Sequence, residues 1–191
     1  MEDLRFKVVL VGSSSVGKTC LCNMLIDKTY DRNLEATVGA NSRTYTIAME
    51  NCTVSLDLWD TAGQEKFKSI GPVYYRDSSA AVAVYSQVDR SSFDRLEESI
   101  RDFRATAGEN ALIAIAANKS DLAENAEVRS RDVREWATKN GYLFHETSAL
   151  TGEGVEELFQ VLSAELISNS KPVMQHENQP VLVSKNDGCS C

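Results

Sequence analysis

Apolar positions along the chain fall into two periods. Phe6–Val11, Ala80–Tyr85 and Ala111–Ala117 are short runs, and "AAVAVY" and "ALIAIAA" are apolar on both faces, as central parallel strands must be when helices cover each side of a sheet. Val54, Leu56 and Leu58 instead alternate with polar residues, and "MENC" before them reads as a tight connection. Arg43–Met49 and Thr53–Trp59 are therefore expected to form a hairpin near one sheet edge. Tyr142–Glu146 completes a set of six predicted strands. Helical spacing appears in Phe93, Leu96, Ile100 and Phe103, and again in Val155, Leu158, Phe159, Leu162 and Leu166. Strands interleaved with helices predict an α/β fold, an open and mostly parallel six-stranded sheet covered on both faces. Such sheets bind ligands at the carboxyl ends of their strands. Periodicity stops near Ser170, and "KPVMQHENQPVLVSKNDGCSC" is polar with two prolines. A single domain over residues 1–169 and a disordered tail over 170–191 are expected.

Composition narrows the function. The 191 residues are 42% hydrophobic, enough for one core. Net charge is -8, so the field of the whole molecule opposes nucleic acid as a partner. Five cysteines is an odd number, and Cys20 and Cys22 sit two apart in a predicted helix, on different faces; a reducing compartment fits. "MEDLRFK" carries acids where a secretory signal has bases, and no apolar run approaches the ~18 residues that span a bilayer. The chain is expected in the cytoplasm or on the cytosolic face of a membrane.

"VVLVGSSSVGKTCL" carries the first chemistry. Gly12, Gly17, Lys18 and Thr19 satisfy the pattern GxxxxGK[ST] directly after a predicted strand and at a predicted helix start. Glycines let the backbone curl so that successive N–H groups and the helix terminus face a phosphate chain; Lys18 adds a point charge, and the Thr19 hydroxyl can ligate Mg²⁺. Ser14, Ser15, Val16, Gly17 and Cys20 border the same expected site. The pattern does not choose between ATP and GTP. "NKSD", residues 118–121, does so, because it follows a buried strand and places Asp121 where a carboxylate can accept from the N1–H and exocyclic amino group of guanine. Asn118 and Lys119 belong to the same expected base site. In "WDTAGQE", residues 59–65, Asp60 ends a strand where it can hold Mg²⁺ through water, and Gly63 offers an unhindered N–H to a terminal phosphate. Gln64 has the donor and the acceptor needed to orient an attacking water. Read alone, each of these stretches is a polar turn.

With "GSSSVGKT", "WDTAGQE", "VYYR", "NKSDL" and "ETSAL" in order, the chain from Leu4 to Ile167 resembles the small GTPases of the Ras superfamily, and within them the Rab branch. The resemblance implies a three-layer P-loop NTPase G domain that hydrolyses GTP to GDP and phosphate. It implies that Thr37 in "ATVGAN" closes on Mg²⁺ and the γ-phosphate, that Tyr30 lies against the base edge, and that Ser148, Ala149 and Leu150 surround the guanine, Ala149 through its backbone N–H. Lys18, Thr37 and Gln64 would be the catalytic set, and Thr19, Thr37 and Asp60 the metal set. Residues 31–42 and 62–76 would be the two switching segments. Exchange factor, GTPase-activating protein, GDP-dissociation inhibitor and effectors are the implied partners, with vesicle trafficking as the setting. No arginine is clearly placed as an internal finger, so slow unaided turnover is expected.

The chain departs from the family pattern at several points. Leu150 stands where a lysine is usual, and Ala40, Asn41 and Ser42 replace a stretch that usually ends in an aromatic, which would join Trp59 and Tyr74 in an effector-reading trio. Ser14 and Ser15 replace glycines found in some relatives. A CaaX signal would need cysteine at 188, which is Gly188; the terminal Cys189 and Cys191 resemble a Cys-x-Cys geranylgeranylation site. Lys171 and Lys185 are offset by Glu177 and Asp187, so stable membrane attachment would need two lipids. The alternatives are a nucleotide-dependent binding module with little or no hydrolysis and an ATP-using P-loop enzyme.

Overall fold

The computed structural model describes residues 2–63 and 71–170. Six strands form one sheet: β1 (Glu2–Val11), β2 (Ala40–Ala48), β3 (Cys52–Thr61), β4 (Ala80–Ser86), β5 (Leu112–Asn118) and β6 (Leu143–Thr147), in the order β2-β3-β1-β4-β5-β6. All neighbours are parallel except β2 and β3, an antiparallel edge hairpin closed where Met49 N–H donates to Cys52 O at 2.9 Å. Six α-helices lie among them: α1 (Lys18–Asp27), α2 (Gly71–Tyr75), α3 (Arg90–Asp94), α4 (Leu96–Ala107), α5 (Ser130–Lys139) and α6 (Val155–Ser170). A 3₁₀ turn covers Ser120–Asn125.

Strand alternation sorts the core into two layers. Val8, Leu10, Val82, Val84, Ala114 and Ala116 face α1 and α6, burying Leu21, Leu25, Leu158, Phe159 and Leu162. Val9, Val11, Ala81, Ala83, Tyr85, Ile113 and Ile115 face the other way, against Leu96, Ile100 and Phe103 of α4 and Val133 and Ala137 of α5. Every residue of β4 is buried, as its unbroken apolar run requires.

The differences from expectation lie at element ends. The expected hairpin is present, but β1 starts four residues before Phe6, β2 starts at Ala40, and β3 runs two residues past Trp59, so Asp60 sits inside a strand. The stripe Phe93–Phe103 belongs to two helices that meet at Arg95. The short first one is fixed by Asp89, whose carboxylate accepts from the N–H groups of Ser91 and Ser92. Spacing alone cannot see such a joint, because the apolar stripe continues across it. Of the expected tail, residues 170–191, Ser170 is the last residue of α6 and 171–191 lie outside the described residues; among those described, no helix is long and apolar enough to cross a membrane.

One turn fixes the end of β6 against the start of α6. Gly154 has φ +69°, and a Cβ placed there would stand 2.0 Å from the Glu146 carbonyl oxygen. Gly108 has φ +98° with nothing within 4 Å. Gly154→Ala should therefore lower unfolding free energy by about 2–4 kcal/mol, against about 1 kcal/mol for Gly108→Ala. Urea titrations of the two variants under one set of conditions check the order, and equal losses would contradict it.

Candidate functional site

The loops leaving the carboxyl ends of β1, β3, β5 and β6 border a cavity of about 550 Å³, within the range of small-molecule sites. Its floor is the loop from Gly12 to Gly17. Gly12 must be glycine because a Cβ there would lie 2.2 Å from the Val84 carbonyl oxygen, and Gly17 because a Cβ would lie 2.4 Å from Asn118 Nδ2. Ser15 and Gly17 both take left-handed backbone conformations, φ +62° and +99°, which curl the chain into the start of α1. Lys18 is buried, and its ammonium donates to Gly12 O at 2.9 Å and Ser13 O at 2.8 Å. Burial lowers its pKa to about 8, against the opposing pull of Asp60. An anion entering the loop would restore the preference for the charged form. Gly63 closes on the same point, where an added Cβ would stand 2.5 Å from both Lys18 Nζ and Ser13 O.

Asn118 joins three loops. It is 1% exposed; its Nδ2 donates to the Val16 carbonyl at 2.8 Å, and its Oδ1 accepts from Thr147 Oγ1 and the Ala149 N–H, each at 3.3 Å. The floor loop and the loops after β5 and β6 are thus held by one buried amide using both its ends. Beside it, Ser148 Oγ donates to Asp121 Oδ1 at 2.6 Å and accepts from the Thr151 N–H, aligning the Asp121 carboxylate on the cavity wall. Lys119 takes φ +66°, turning the chain sharply between the two.

Three oxygens converge at the other end. Thr19 Oγ1 donates to Asp60 Oδ2 at 2.6 Å and lies 2.8 Å from Thr37 Oγ1, which is 3.5 Å from the same carboxylate oxygen. Asp60 Oδ1 is buried with no hydrogen-bond partner among the described residues. Burial raises the Asp60 pKa, opposed by the Thr19 hydroxyl and by Lys18. Two hydroxyls and a carboxylate with a spare buried oxygen are a hard, all-oxygen donor set, the chemistry that suits Mg²⁺ with its retained waters. The residues present fit that ion.

A family model described as the Ras family matches residues 7–168 of the chain. The chain belongs to the Ras family. As a Ras-family protein it carries a small-GTPase switch domain, a fold whose members bind guanine nucleotide, generally with Mg²⁺.

On this Ras-family domain the cavity is lined by Ser14, Ser15, Gly17, Lys18, Thr19, Cys20, Tyr30, Thr37, Gly63, Asn118, Lys119, Asp121, Ala149 and Leu150, all of which the sequence singles out. Val16 and Ser148 are buried behind the lining and act on it through a carbonyl and a hydroxyl. The Ala149 N–H, expected to face the base, donates to Asn118 here, since a buried amide takes the acceptor within reach. Gln64, Cys189 and Cys191 lie outside the described residues. Ser42 stands opposite Trp59 in register, and the Trp59 and Tyr74 rings are 6.0 Å apart. Asp31, Arg32, Leu34, Glu35, Ala36, Thr61 and Leu122 also line the cavity and were not anticipated as site residues. Ala36, Thr61 and Leu122 lie inside quoted motifs without having been given a role, and Asp31, Arg32, Leu34 and Glu35 fall in the expected first switching segment with no motif of their own.

Asn118→Ala should lower unfolding free energy by about 2–4 kcal/mol, because it strands the Val16 carbonyl and the Ala149 N–H in the interior. Hydrogen exchange should then accelerate both at residues 13–18 and at residues 147–150. Acceleration confined to one loop would contradict the bracing role.

Proposed function

We propose that this chain is a Rab-type GTP/GDP switch that hydrolyses GTP to GDP and phosphate and recruits effectors to a membrane. The observation that carries the reading is the meeting of Thr37 with Thr19 and Asp60, because it ties an exposed loop, residues 28–39, to the place where a phosphate-bound cation would sit. Lys18 and the loop N–H groups hold the phosphate chain; Asp121, aligned by Ser148, reads the guanine edge; Tyr30 and Leu150 border the base. Thr19, Thr37 and Asp60 would hold Mg²⁺, which would supply positive charge to neutralise the outer phosphates. Gln64 orients the attacking water. Thr37 and Gly63 face the terminal phosphate, and its loss releases the segments that carry them.

The tail supports the finer assignment. Cys189 and Cys191 match a dual prenylation site, and without a net-basic segment two lipids are needed for lasting attachment. Exchange factor, GTPase-activating protein, GDP-dissociation inhibitor and effectors are the proposed partners, and the cytosolic face of an endomembrane the proposed location. The replacement of the third aromatic by Ser42 points to effectors that differ from those reading a full aromatic trio.

Two measurements test the reading. Excess GTP should displace labelled GDP, while ATP should fail at about a thousandfold higher concentration, since adenine leaves the Asp121 carboxylate without its donors; displacement by ATP at similar concentration would refute guanine recognition. Phosphate release from bound GTP should be slow in the wild-type protein and at least about tenfold slower in Gln64→Leu. Equal, undetectable release from both would favour a nucleotide-dependent binding module without hydrolysis.

A further inference from the structure

The segment between α1 and β2 behaves as a strap over the cavity. Of residues 30–37, all but Asn33 line it, and all but Thr37 are exposed. The strap is held at one end of the cavity, where Thr37 meets the oxygens of Thr19 and Asp60, and Tyr30 at its other end also lines the cavity. Its tip is folded by Asp31, whose Oδ1 accepts from the Asn33 N–H at 2.8 Å, which leaves Arg32 at the bend.

Arg32 is the unexplained charge here. Three cationic side chains line the cavity among the described residues: Lys18, Lys119 and Arg32. Lys18, held on the Gly12 and Ser13 carbonyls, already has its part in the phosphate loop, and Lys119 lies in the loop after β5 close in sequence to Asp121. Arg5, Arg43, Arg90, Arg104, Arg131 and Arg134 each meet a carboxylate. Arg32 has no hydrogen bond or ion pair among the described residues, although Asp31 and Glu35 flank it, and it faces a cavity built for a phosphate chain.

We infer that Arg32 is a phosphate-binding side chain delivered by the docked strap, so that it favours the triphosphate over the diphosphate. The inference rests on the guanine-nucleotide reading above. Its logic is positional. In this structure Thr37 is docked on Thr19 and Asp60, and with the strap in that place Arg32 lines the cavity. Thr37 and Arg32 are five residues apart on one strap, so the ligand that holds Thr37 also brings the guanidinium to the phosphates. The third phosphate adds roughly one further negative charge near neutral pH, which a guanidinium can meet with paired N–H donors. When the strap lifts away over a diphosphate, Arg32 leaves with it.

Dissociation rates of labelled GDP and of a labelled non-hydrolysable GTP analogue, measured with Mg²⁺ for wild type, Arg32→Gln and Arg32→Lys, test this. Arg32→Gln should speed release of the analogue about tenfold and of GDP by less than about twofold; Arg32→Lys should recover part of the difference, and raised salt should shrink it. The melting temperature of the GDP-bound Arg32→Gln protein should match wild type. Equal rates for both nucleotides, acceleration of both by the same factor, or a lowered GDP-form melting temperature would each overturn the role given to Arg32. Failure of the wild-type protein to retain either nucleotide would instead refute the guanine-nucleotide reading itself, so the two failures are distinguishable.

Discussion

A buried carboxylate with one satisfied oxygen organises this molecule. Asp60 is 5% exposed, and Oδ2 is taken by Thr19 while Oδ1 has no partner among the described residues. Taking an ion out of water costs several kcal/mol unless opposite charge or donors compensate. Lys18 helps electrostatically, and two hydroxyls help through hydrogen bonds, yet burial still wins and the Asp60 pKa rises. A divalent cation is the natural partner for the oxygen left over. The fold therefore stores an unfavourable arrangement at the point where ligand charge would relieve it, and the same point is where Thr37 attaches the long connection between α1 and β2.

The rest of the architecture keeps that point fixed. Parallel pairing of β1 with β3 sets Leu10 beside Asp60, and Thr61 Oγ1 donates to the Leu10 carbonyl at 2.7 Å, locking the strand end that carries the carboxylate. Pairing of β4 with β5 aligns Ser86 with Asn118, from which the buried amide reaches the floor loop and the loop after β6. The result divides the site by mobility. The floor loop and the loops after β5 and β6 are braced by buried hydrogen bonds, which open rarely, whereas residues 30–36 are exposed and tied down through Thr37. A ligand that changes charge at one end of such a cavity acts on the strap and leaves the sheet alone.

Much of this was legible in the sequence because it is carried by local rules. The double-sided apolar run at 80–85 and the alternation of Val54, Leu56 and Leu58 reported a central strand and an edge hairpin, since burial on one face or two is written directly in the period. Gly12, Gly17, Lys18, Asp60 and Asp121 were legible because each chemistry demands one residue type at one spacing. What escaped was non-local or masked by continuity. The joint at Arg95 hides within an unbroken apolar stripe, and the use of the Ala149 N–H by Asn118 depends on a contact across 31 residues. Arg32 carries no motif at all, and its place on the cavity lining follows from the docked path of the strap.

We propose that Thr37, through Thr19, Asp60 and a divalent cation, couples the strap to the presence of a third phosphate. Hydrogen exchange across residues 30–39 tests it most directly, comparing the GDP form with a non-hydrolysable GTP analogue, each with Mg²⁺ and after chelation. The account predicts strong protection with the analogue and Mg²⁺ together and loss of that protection in the other three conditions. Identical exchange in all four would contradict it.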